Sequence, residues 1–593
     1  MKNTQFLAVV TILAIAFAVV AFIDGYDAAD EIQKTAEVSE VTYGSDTLPV
    51  YTVKVVGGQS YETLNDAIAV DNNNPNVATT IELLGNVDYG NGVKITSADP
   101  KNIIIDLKGF TYTVASSPVG STGTETQGFH FEKGSTVVIK NGTLKFSNHA
   151  NLKMGIQNYC DLTLEDVVVD ASEDSYCAYA MSNNNGAVII KGSTSILAYE
   201  GKKAFDVCVT NYYPDGAQVS IDTTGTIRGI IEYDVWGSIP ETNKTSLTIK
   251  NGIFDTIFSV ENALKDAAKQ KFAINGGTFY NLDCLPYIQD GKTVTLGKDV
   301  SLTSRAYEIV KGSTLIIPTG KKLTVSSDAT FVVKGDLVNN GTIIGNITAD
   351  AKNGNNYYGS LTDAVVNAEA GDSLVIMNDV VLTATVVVDK GITIDLNNHT
   401  ITGKDVRALQ FIAGNSTITG TGMITSEKIS SLLDSSSVIR IGNNATPAPE
   451  TKTPVKLTIG KDVTVSTSAC YGISVFGSTT TETLDIYGTV QTSGNACAVS
   501  GNGTTAYAGT TINIMKDALV KSTNDVAIYH PQAGTLSIKG TVEGLGGVEI
   551  KSGSVMTING DAKVTATGEV GHSANNNGTS TVGYAFSAVE NNG

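Results

Sequence analysis

An apolar residue followed two positions later by isoleucine recurs five times in the C-terminal third of the chain. The five pairs are Leu457 with Ile459, Leu484 with Ile486, Ile512 with Ile514, Leu536 with Ile538, and Met556 with Ile558. A third apolar residue follows each first member by six positions, at Val463, Val490, Ala518, Val542 and Ala562. Alternation with a period of two is typical of strands that bury one face. Because the motif returns after 27, 28, 24 and 20 residues, each unit is expected to stack on its predecessor.

The N-terminal half shows the same alternation at intervals of 21 to 31 residues, for example at Leu162 with Leu164 and at Leu247 with Ile249. A coil of about 25 residues is too long for hexapeptide or nonapeptide repeats, and the pattern of leucine-rich repeats does not occur. The sequence therefore predicts an all-β solenoid, a right-handed parallel β-helix with three short strands in each coil. Loops of variable length are expected to leave the coils at one corner.

A larger duplication contains these coils. The segment from Tyr61 to Ile68 matches the segment from Tyr358 to Val365, and KNIIIDLKGFTYT from Lys101 matches KGITIDLNNHTIT from Lys390. Each copy begins with a short amphipathic helix, which we interpret as a cap over the exposed edge of the first coil. The duplication predicts two tandem right-handed parallel β-helices, 51–347 and 348–593, each with a short N-terminal capping helix.

The N-terminus predicts export. Residues 6–23 are an uncharged apolar run, and 18 helical residues span about 27 Å, enough for the apolar core of a bilayer. Residues 1–23 are interpreted either as a signal peptide or as a retained membrane anchor, and residues 24–50 as an acidic tether. Both interpretations place the remainder outside the cytoplasm, at the cell surface or secreted.

Charge and cysteine content restrict the partners. A net charge of −19 argues against nucleic acid, because phosphates require lysine and arginine, and only four arginines occur. The carboxylates suit an exported surface or divalent cations. The six cysteines form no CxxC pair and no metal-ligand spacing, so buried free thiols are favoured over disulfides.

The cap helix followed by IDLNNHTITG, and coils such as LDIYGTVQTSG, resemble the pectin-lyase-like superfamily of right-handed parallel β-helices. Within it, the chain is most similar to the adhesin-like surface proteins of bacteria and archaea, and the resemblance covers nearly everything after residue 50. The resemblance implies a fold and not an activity, because the superfamily includes polysaccharide lyases, hydrolases, tailspikes and adhesins.

An acidic cluster is the candidate cation site. It comprises Asp161, Glu165, Asp166, Asp170, Glu173 and Asp174. Glu165 and Asp166 are predicted to occupy the turn after a strand, and Asp170, Glu173 and Asp174 the next corner. They could bind Ca²⁺ or act as an acid–base pair, and a solvated edge is the alternative. No other cofactor is indicated. The NTD, DD, GHG and RIK strings of polygalacturonase-like enzymes are missing, so no catalytic residue is assigned.

Aromatic residues are the candidate ligand-binding site. Trp236, the single tryptophan, lies with Tyr233 in a predicted long loop, near Tyr212 and Tyr213. Such rings can stack on a sugar, and aromatic packing that anchors the loop is the alternative.

Two functions follow from the sequence. The favoured one is a non-catalytic, adhesin-like or structural rod at the cell surface that presents loops to polysaccharides or cell-surface glycans. The alternative is an exported polysaccharide lyase or glycoside hydrolase. The final GYAFSAVENNG repeats the opening of a coil. We therefore expect either a truncated chain or an open C-terminal edge that pairs with a neighbouring chain.

Overall fold

The computed structural model describes residues 50–70, 77–147, 149–265, 271–427, 436–445, 449–501, 509–530, 534–550 and 554–568, and the backbone of Tyr584–Phe586 and Val589–Glu590. The predicted N-terminal segment 1–23 and the tether up to residue 49 lie outside these residues. No helix within the described ranges is long and apolar enough to span a membrane. The strands discussed below belong to the unit Thr52–Gly593.

Successive repeats form parallel strands whose first apolar residues are stacked in register. Leu457 lies opposite Leu484, which lies opposite Ile512. Leu536 and Met556 continue the same ladder. Side chains that occupy equivalent positions on stacked parallel strands bury one another, so the fold is an all-β solenoid, as predicted.

The third apolar residue of the motif was predicted six positions after the first, and this prediction is wrong in some of the coils. The structure pairs Val465 with Val490, and then Val520, Val542 and Val564. Val463, Ala518 and Ala562 are buried too, but they lie two residues earlier. The turn between the two strands therefore varies in length by two residues between coils. Because side chains alternate between the two faces of a strand with a period of two, this variation leaves the same face directed to the core.

In the C-terminal half, the strands form three stacks. The first contains Ser373–Ile376, Thr393–Asp395, Gly414–Thr419, Thr453–Ile459, Thr480–Ile486, Thr511–Ile514, Thr535–Ile538 and Val555–Ile558. The second contains Val380–Leu382, Thr400–Lys404, Gly422–Glu427, Val463–Thr467, Thr489–Thr492, Leu519–Ser522, Thr541–Gly544 and Lys563–Ala566. The third contains Val386–Val388, Leu409–Phe411, Ser437–Ile441, Tyr471–Val475, Val499–Gly501, Ile528–His530 and Val548–Ile550.

In the N-terminal half, several strands run around a corner and contribute to two sides of a coil. The strands that begin this half are Thr79–Leu83, Val87–Asn91, Val93–Ile95, Asn102–Asp106, Thr111–Ser116, Gln127–Phe131, Thr136–Phe146, Met154–Asn158, Asp161–Asp170, Tyr179–Asn183, Gly186–Gly192, Ser195–Leu197 and Lys203–Thr210. They are followed by Ala217–Trp236, Ser246–Val260, Phe272–Ile274, Thr278–Phe279, Thr293–Leu296, Val300–Leu302, Ala306–Ile309, Thr314–Ile317, Lys322–Val325, Thr330–Val333, Asp336–Asn339 and Thr342–Ile344. Short 3₁₀ turns occupy Asn262–Leu264 and Leu285–Tyr287.

Buried apolar residues form two clusters within the described part of the chain. One extends from Val53 to Ala349 and the other from Ala351 to Val564. The change of cluster therefore falls within a few residues of the predicted boundary between 347 and 348. All six cysteines are free and buried, as predicted.

Each cluster begins with a hairpin and a short helix. The first cap hairpin pairs Val53–Val55 with Ser60–Tyr61, and helix α1 follows at Leu64–Ala69. The second cap hairpin pairs Ala351–Asn353 with Asn356–Tyr358. Helix α2 follows at Leu361–Asn367. Both helices bury a leucine and an alanine three positions apart, as an amphipathic cap requires.

The helix caps can be tested directly. Ser360 Oγ accepts a hydrogen bond from the Asp363 amide at 3.0 Å, and Thr63 does the same for Asp66 at 3.1 Å. We expect Ser360→Ala to lower the free energy of unfolding by about 1 kcal/mol, because an N-terminal amide loses its partner. Thr362→Ala, at an exposed position in the same helix, should change it by less than about 0.5 kcal/mol. Guanidinium denaturation of both variants measures the difference, and equal values would contradict the capping role.

The C-terminal segment does not open another parallel coil. Tyr584–Phe586 pairs antiparallel with Val548–Ile550, and Val589–Glu590 pairs antiparallel with the strand Lys563–Ala566. These two short strands therefore pair with two of the three stacks, where they satisfy backbone groups of the strands beside them. The strand Val555–Ile558 of the remaining stack pairs parallel with Thr535–Ile538.

Candidate functional site

Trp236 and Tyr212 form an exposed aromatic pair. Trp236 ends the strand Ala217–Trp236, so the predicted loop is wrong: parallel pairing of Trp236 with Thr210 extends the sheet to this point. The two rings are 62% and 64% exposed. Their centroids are 4.9 Å apart with planes inclined at 34°. The pair presents a broad apolar surface to solvent.

The other two aromatic residues of the predicted site lie apart from this pair. Tyr233 is buried, and its hydroxyl donates a hydrogen bond to the Thr245 carbonyl at 3.0 Å. Tyr213 is half-buried, and its ring centroid lies 5.0 Å from that of Tyr159. Tyr233 thus anchors the strand from inside, while Tyr213 packs against a neighbouring coil. Of the four aromatic residues in the predicted site, only Trp236 and Tyr212 form a pair in the structure.

A cleft of about 970 Å³ lies on neighbouring coils of the same half and was not anticipated from the sequence. Three tyrosines line it, Tyr199, Tyr280 and Tyr307, together with acidic and basic side chains. The acidic and basic side chains in its lining are Glu200, Asp255, Asp283, Asp299, Lys202, Arg228, Lys298 and Arg305. A second cleft of about 600 Å³ shares Asp283, Arg305 and Tyr307 with it. The two clefts therefore adjoin, and together they are called the groove.

Cations cover two of the tyrosine faces in this groove. Lys298 Nζ lies 5.2 Å from the centroid of the Tyr280 ring and 3.2 Å from Asp255 Oδ1. The guanidinium of Arg305 lies 4.4 Å from the Tyr307 ring and pairs with Asp283. Each cation is therefore fixed by a ring and a carboxylate at once, which holds its charge in place before any ligand arrives.

Glycine at position 297 makes room for the Tyr280 ring. A Cβ at this position would lie 2.4 Å from two carbon atoms of the ring. A larger residue at position 297 would clash with the Tyr280 ring and displace it from the groove, together with Lys298, which lies over that ring.

The acidic residues of the predicted cation site each have a separate partner. Asp161 Oδ1 accepts from the Ala187 amide at 2.8 Å, and Glu165 pairs with Lys191 at 3.1 Å. Asp170 Oδ1 accepts from the Ser172 hydroxyl at 2.6 Å. Because the strand Asp161–Asp170 runs around a corner, Asp161 and Glu165 lie on one side of the coil and Asp170 lies on the next.

Asp166 and Asp174 hold local turns. Asp166 adopts a left-handed backbone (φ 54°), and hydrogen bonds from the amide and hydroxyl of Ser193 lower the pKa of its carboxyl. Burial raises the pKa of Asp174, whose Oδ1 accepts from the Cys177 amide at 3.1 Å. No group of three or more His, Cys, Asp or Glu side chains suited to a metal ion occurs in the described ranges. A Ca²⁺ site here remains a prediction.

A column of polar side chains crosses five coils on the outer face of one stack. His130, Gln157, Ser182, Asp206 and Glu232 lie opposite one another on successive parallel strands. This column was not predicted from the sequence. Most residues of the column are followed two positions later by a second polar residue, which also occupies an outward position of its strand. Examples are Glu132, Tyr159 and Asp234, and this pattern could have indicated the column.

The column is hydrogen-bonded and largely buried. His130 Nδ1 lies 3.0 Å from Gln157 Oε1, and Asp206 Oδ1 accepts from the Asn183 amide at 2.7 Å. Burial, reinforced by the neighbouring carboxyl of Asp234, raises the pKa of Asp206 to about 8. Burial also raises the pKa of Asp234 to about 6. Asp206 is therefore a poor candidate for contact with a large substrate, because it is only 7% exposed.

Comparison with protein-family models, with curated proteins and with solved structures finds no match to this chain. The site must therefore be interpreted from its own chemistry.

Proposed function

We propose that this protein is an exported, cell-surface β-helix rod that binds polysaccharides or cell-surface glycans without chemical change. In this proposal it comprises two tandem right-handed β-helices, adhesin-like in kind, held at the membrane or released by residues 1–23. The observation that carries the binding role is the exposed pair of Trp236 and Tyr212. Trp236 at a strand end and Tyr212 in the turn after the neighbouring strand keep two large aromatic rings exposed, which offer a sugar ring an apolar face at little cost in conformational entropy.

The groove supports the same function on a longer ligand. It lies on coils next to the aromatic pair in sequence, and its fixed cations can hydrogen-bond hydroxyl or carboxylate groups of a glycan. An extended polymer suits a surface that repeats from coil to coil.

The binding role predicts a specific loss on mutation. We expect Trp236→Ala to weaken binding of the best polysaccharide ligand about tenfold, close to the 1.4 kcal/mol that an aromatic contact contributes. The measurement is affinity electrophoresis of the full chain through gels that contain a panel of polysaccharides. Tyr487→Ala is the matched control, because it removes a 40% exposed ring from the other half of the chain. Equal retardation of both variants would contradict a role for Trp236.

A polysaccharide lyase or hydrolase is the second candidate, and the groove favours it. Asp255, Asp283 and Asp299 line one cleft with the exposed Arg228, and carboxylates with a nearby basic group are the residue types that such chemistry requires. The same gels distinguish the candidates, because chain length and unsaturated or reducing ends can be followed with and without Ca²⁺. Retardation without shortening supports a binding rod, and shortening of any polymer establishes an enzyme.

A further inference from the structure

Hydrogen bonds hold the backbone on both sides of the aromatic pair of Trp236 and Tyr212. The Tyr212 amide donates to the hydroxyl of Thr210 at 3.2 Å. The amide of Ser238, two residues after Trp236, donates to Asn211 Oδ1 at 3.2 Å. The turn that carries one ring is thereby tied to the segment that follows the other, so the two rings are preorganised for a ligand.

The faces of these two rings carry no cation of the chain itself. Elsewhere a lysine or arginine lies over an aromatic ring, as Lys203 does over Tyr179 at 4.3 Å from the ring centroid. In the described ranges, no lysine or arginine lies over Trp236 or Tyr212 in this way. Because indole attracts cations more strongly than the other aromatic side chains do, the pair can accept a cation from a ligand.

Two carboxyl groups lie beside the pair. Asp234 precedes Trp236 by two residues on the same strand, so both side chains leave the same face of the sheet. Glu261 is exposed, and its Oε2 accepts a hydrogen bond from the Val235 amide at 2.7 Å. Burial, together with the negative charges of Glu232 and Glu261, raises the pKa of Asp234 to about 6. The carboxyl groups are therefore close enough to act on one another.

Two lysines on the neighbouring strands and turns are held by other carboxylates. Lys203 Nζ lies 3.1 Å from Glu232 Oε2. Lys244 Nζ lies 2.7 Å from Asp215 Oδ1, in the turn that carries Tyr212. These lysines therefore balance the charges of their own partners and not those of the two carboxyl groups beside the pair.

The charge around the pair is negative. Asp234 and Glu261 form no ion pair with another described residue. The first cation after Glu261 in the chain is Lys265, whose ammonium donates to Asn262 Oδ1 at 2.8 Å. The whole chain has a net charge of −19. An anionic ligand should therefore be repelled from the pair, and a cationic ligand should be attracted to it.

We propose that the aromatic pair selects glycans with protonated amino groups over neutral and acidic glycans, an inference that rests on the proposed function. The rings of Trp236 and Tyr212 provide a stacking face for the sugar and attract its ammonium group, and the carboxylates of Glu261 and Asp234 balance the charge of that group. The aromatic pair alone would accept many sugars, and the carboxylates restrict the choice.

Titration calorimetry of the full chain with two hexasaccharides tests this selectivity. Both are β-1,4-linked, one of glucosamine and the other of N-acetylglucosamine, so the acetyl groups remove the positive charges from the same backbone. We expect the glucosamine form to bind about tenfold more tightly at about pH 6, at which amino groups are protonated. A hexasaccharide of galacturonate should bind more weakly than either.

Variants assign the preference to the pair. Glu261→Gln removes one charge and keeps an oxygen for the Val235 amide, so it should reduce the preference for glucosamine about threefold. Asp222→Asn is the matched control, because it makes the same change in net charge at an exposed position near the other end of the strand Ala217–Trp236. It should leave the preference unchanged.

The outcomes separate this inference from the proposed function. Equal affinity for the two hexasaccharides, or an equal loss of preference in Asp222→Asn and Glu261→Gln, overturns the selectivity and leaves glycan binding in place. Unweakened binding of the glucosamine form by Trp236→Ala would mean that net charge, and not the pair, recognises the ligand. If no hexasaccharide binds and no polysaccharide of the gel panel retards the chain, the proposed function fails as well.

Discussion

The contribution of Asp206 to stability should fall as the pH rises from about 4 to about 8. Its pKa is about 8 in the folded protein, because the carboxyl is buried beside Asp234, and about 3.9 in an unfolded chain. Between these values the folded state keeps a proton that the unfolded state releases. The stabilisation is therefore complete below about pH 4 and is lost as the pH approaches 8.

The expected effect is several kcal/mol, since each unit of pKa difference corresponds to about 1.4 kcal/mol. Five other carboxyls act in the same sense. Burial raises the pKa of Asp234 and Asp336 to about 6 and that of Glu482 to about 7, and it also raises the pKa of Asp174 and Asp350. Burial lowers the pKa of His130, which acts in the opposite sense below about pH 6.5. A variant is needed to isolate Asp206 from these groups.

Asp206→Asn provides that isolation. Asparagine keeps an oxygen for the Asn183 amide, which donates to Asp206 at 2.7 Å, and places an amide group near the Ser182 hydroxyl. We expect the difference in unfolding free energy between pH 5 and pH 8 to shrink by several kcal/mol relative to wild type. Guanidinium denaturation followed by circular dichroism at both pH values measures it.

Asp222→Asn is the control, because it removes an exposed carboxylate from the same strand that carries Asp234. Its pH dependence should match that of wild type. If Asp206→Asn also matches wild type, the carboxyl of Asp206 does not hold a proton in the folded protein, and the burial argument for the polar column fails.

The inward-facing ladder of apolar residues could be predicted from the sequence, whereas the outward-facing column of polar residues could not. An inward residue such as Leu484 must be apolar in every coil, so the period of two is visible in the sequence. An outward residue such as Asp206 is polar whether it faces water or a covering loop. Its burial depends on neighbouring coils and loops such as the one that carries Tyr213, which are distant or irregular in sequence.

The candidate site was only partly predictable for the same reason. Trp236 could be identified because it is the single tryptophan, but its position at a strand end depends on pairing with Thr210. The groove combines residues as far apart as Tyr199 and Tyr307, which come together only because each coil advances by one strand spacing. Without the register of the coils, no local pattern indicates such a groove.

Replacement of a ladder residue by alanine should strongly destabilise the fold. Leu484 is fully buried between Leu457 and Ile512 on the neighbouring strands. Leu484→Ala should lower the free energy of unfolding by about 2–5 kcal/mol, because a cavity remains that the fixed strands on either side cannot close. Thr481→Ala, at an exposed position of the same strand, should cost less than about 0.5 kcal/mol. Guanidinium denaturation of both variants measures the contrast.

The location of the damage is a sharper test than its size. Each coil of a solenoid contacts only its neighbours, so the effect of Leu484→Ala should decline with distance along the stack. The two buried clusters also separate between Ala349 and Ala351. We therefore expect faster hydrogen exchange in Thr453–Ile459 and Thr511–Ile514, and unchanged exchange in Asp161–Asp170. Uniform acceleration in both halves would mean that the chain unfolds as one cooperative unit, with the two clusters coupled as strongly as neighbouring coils are coupled.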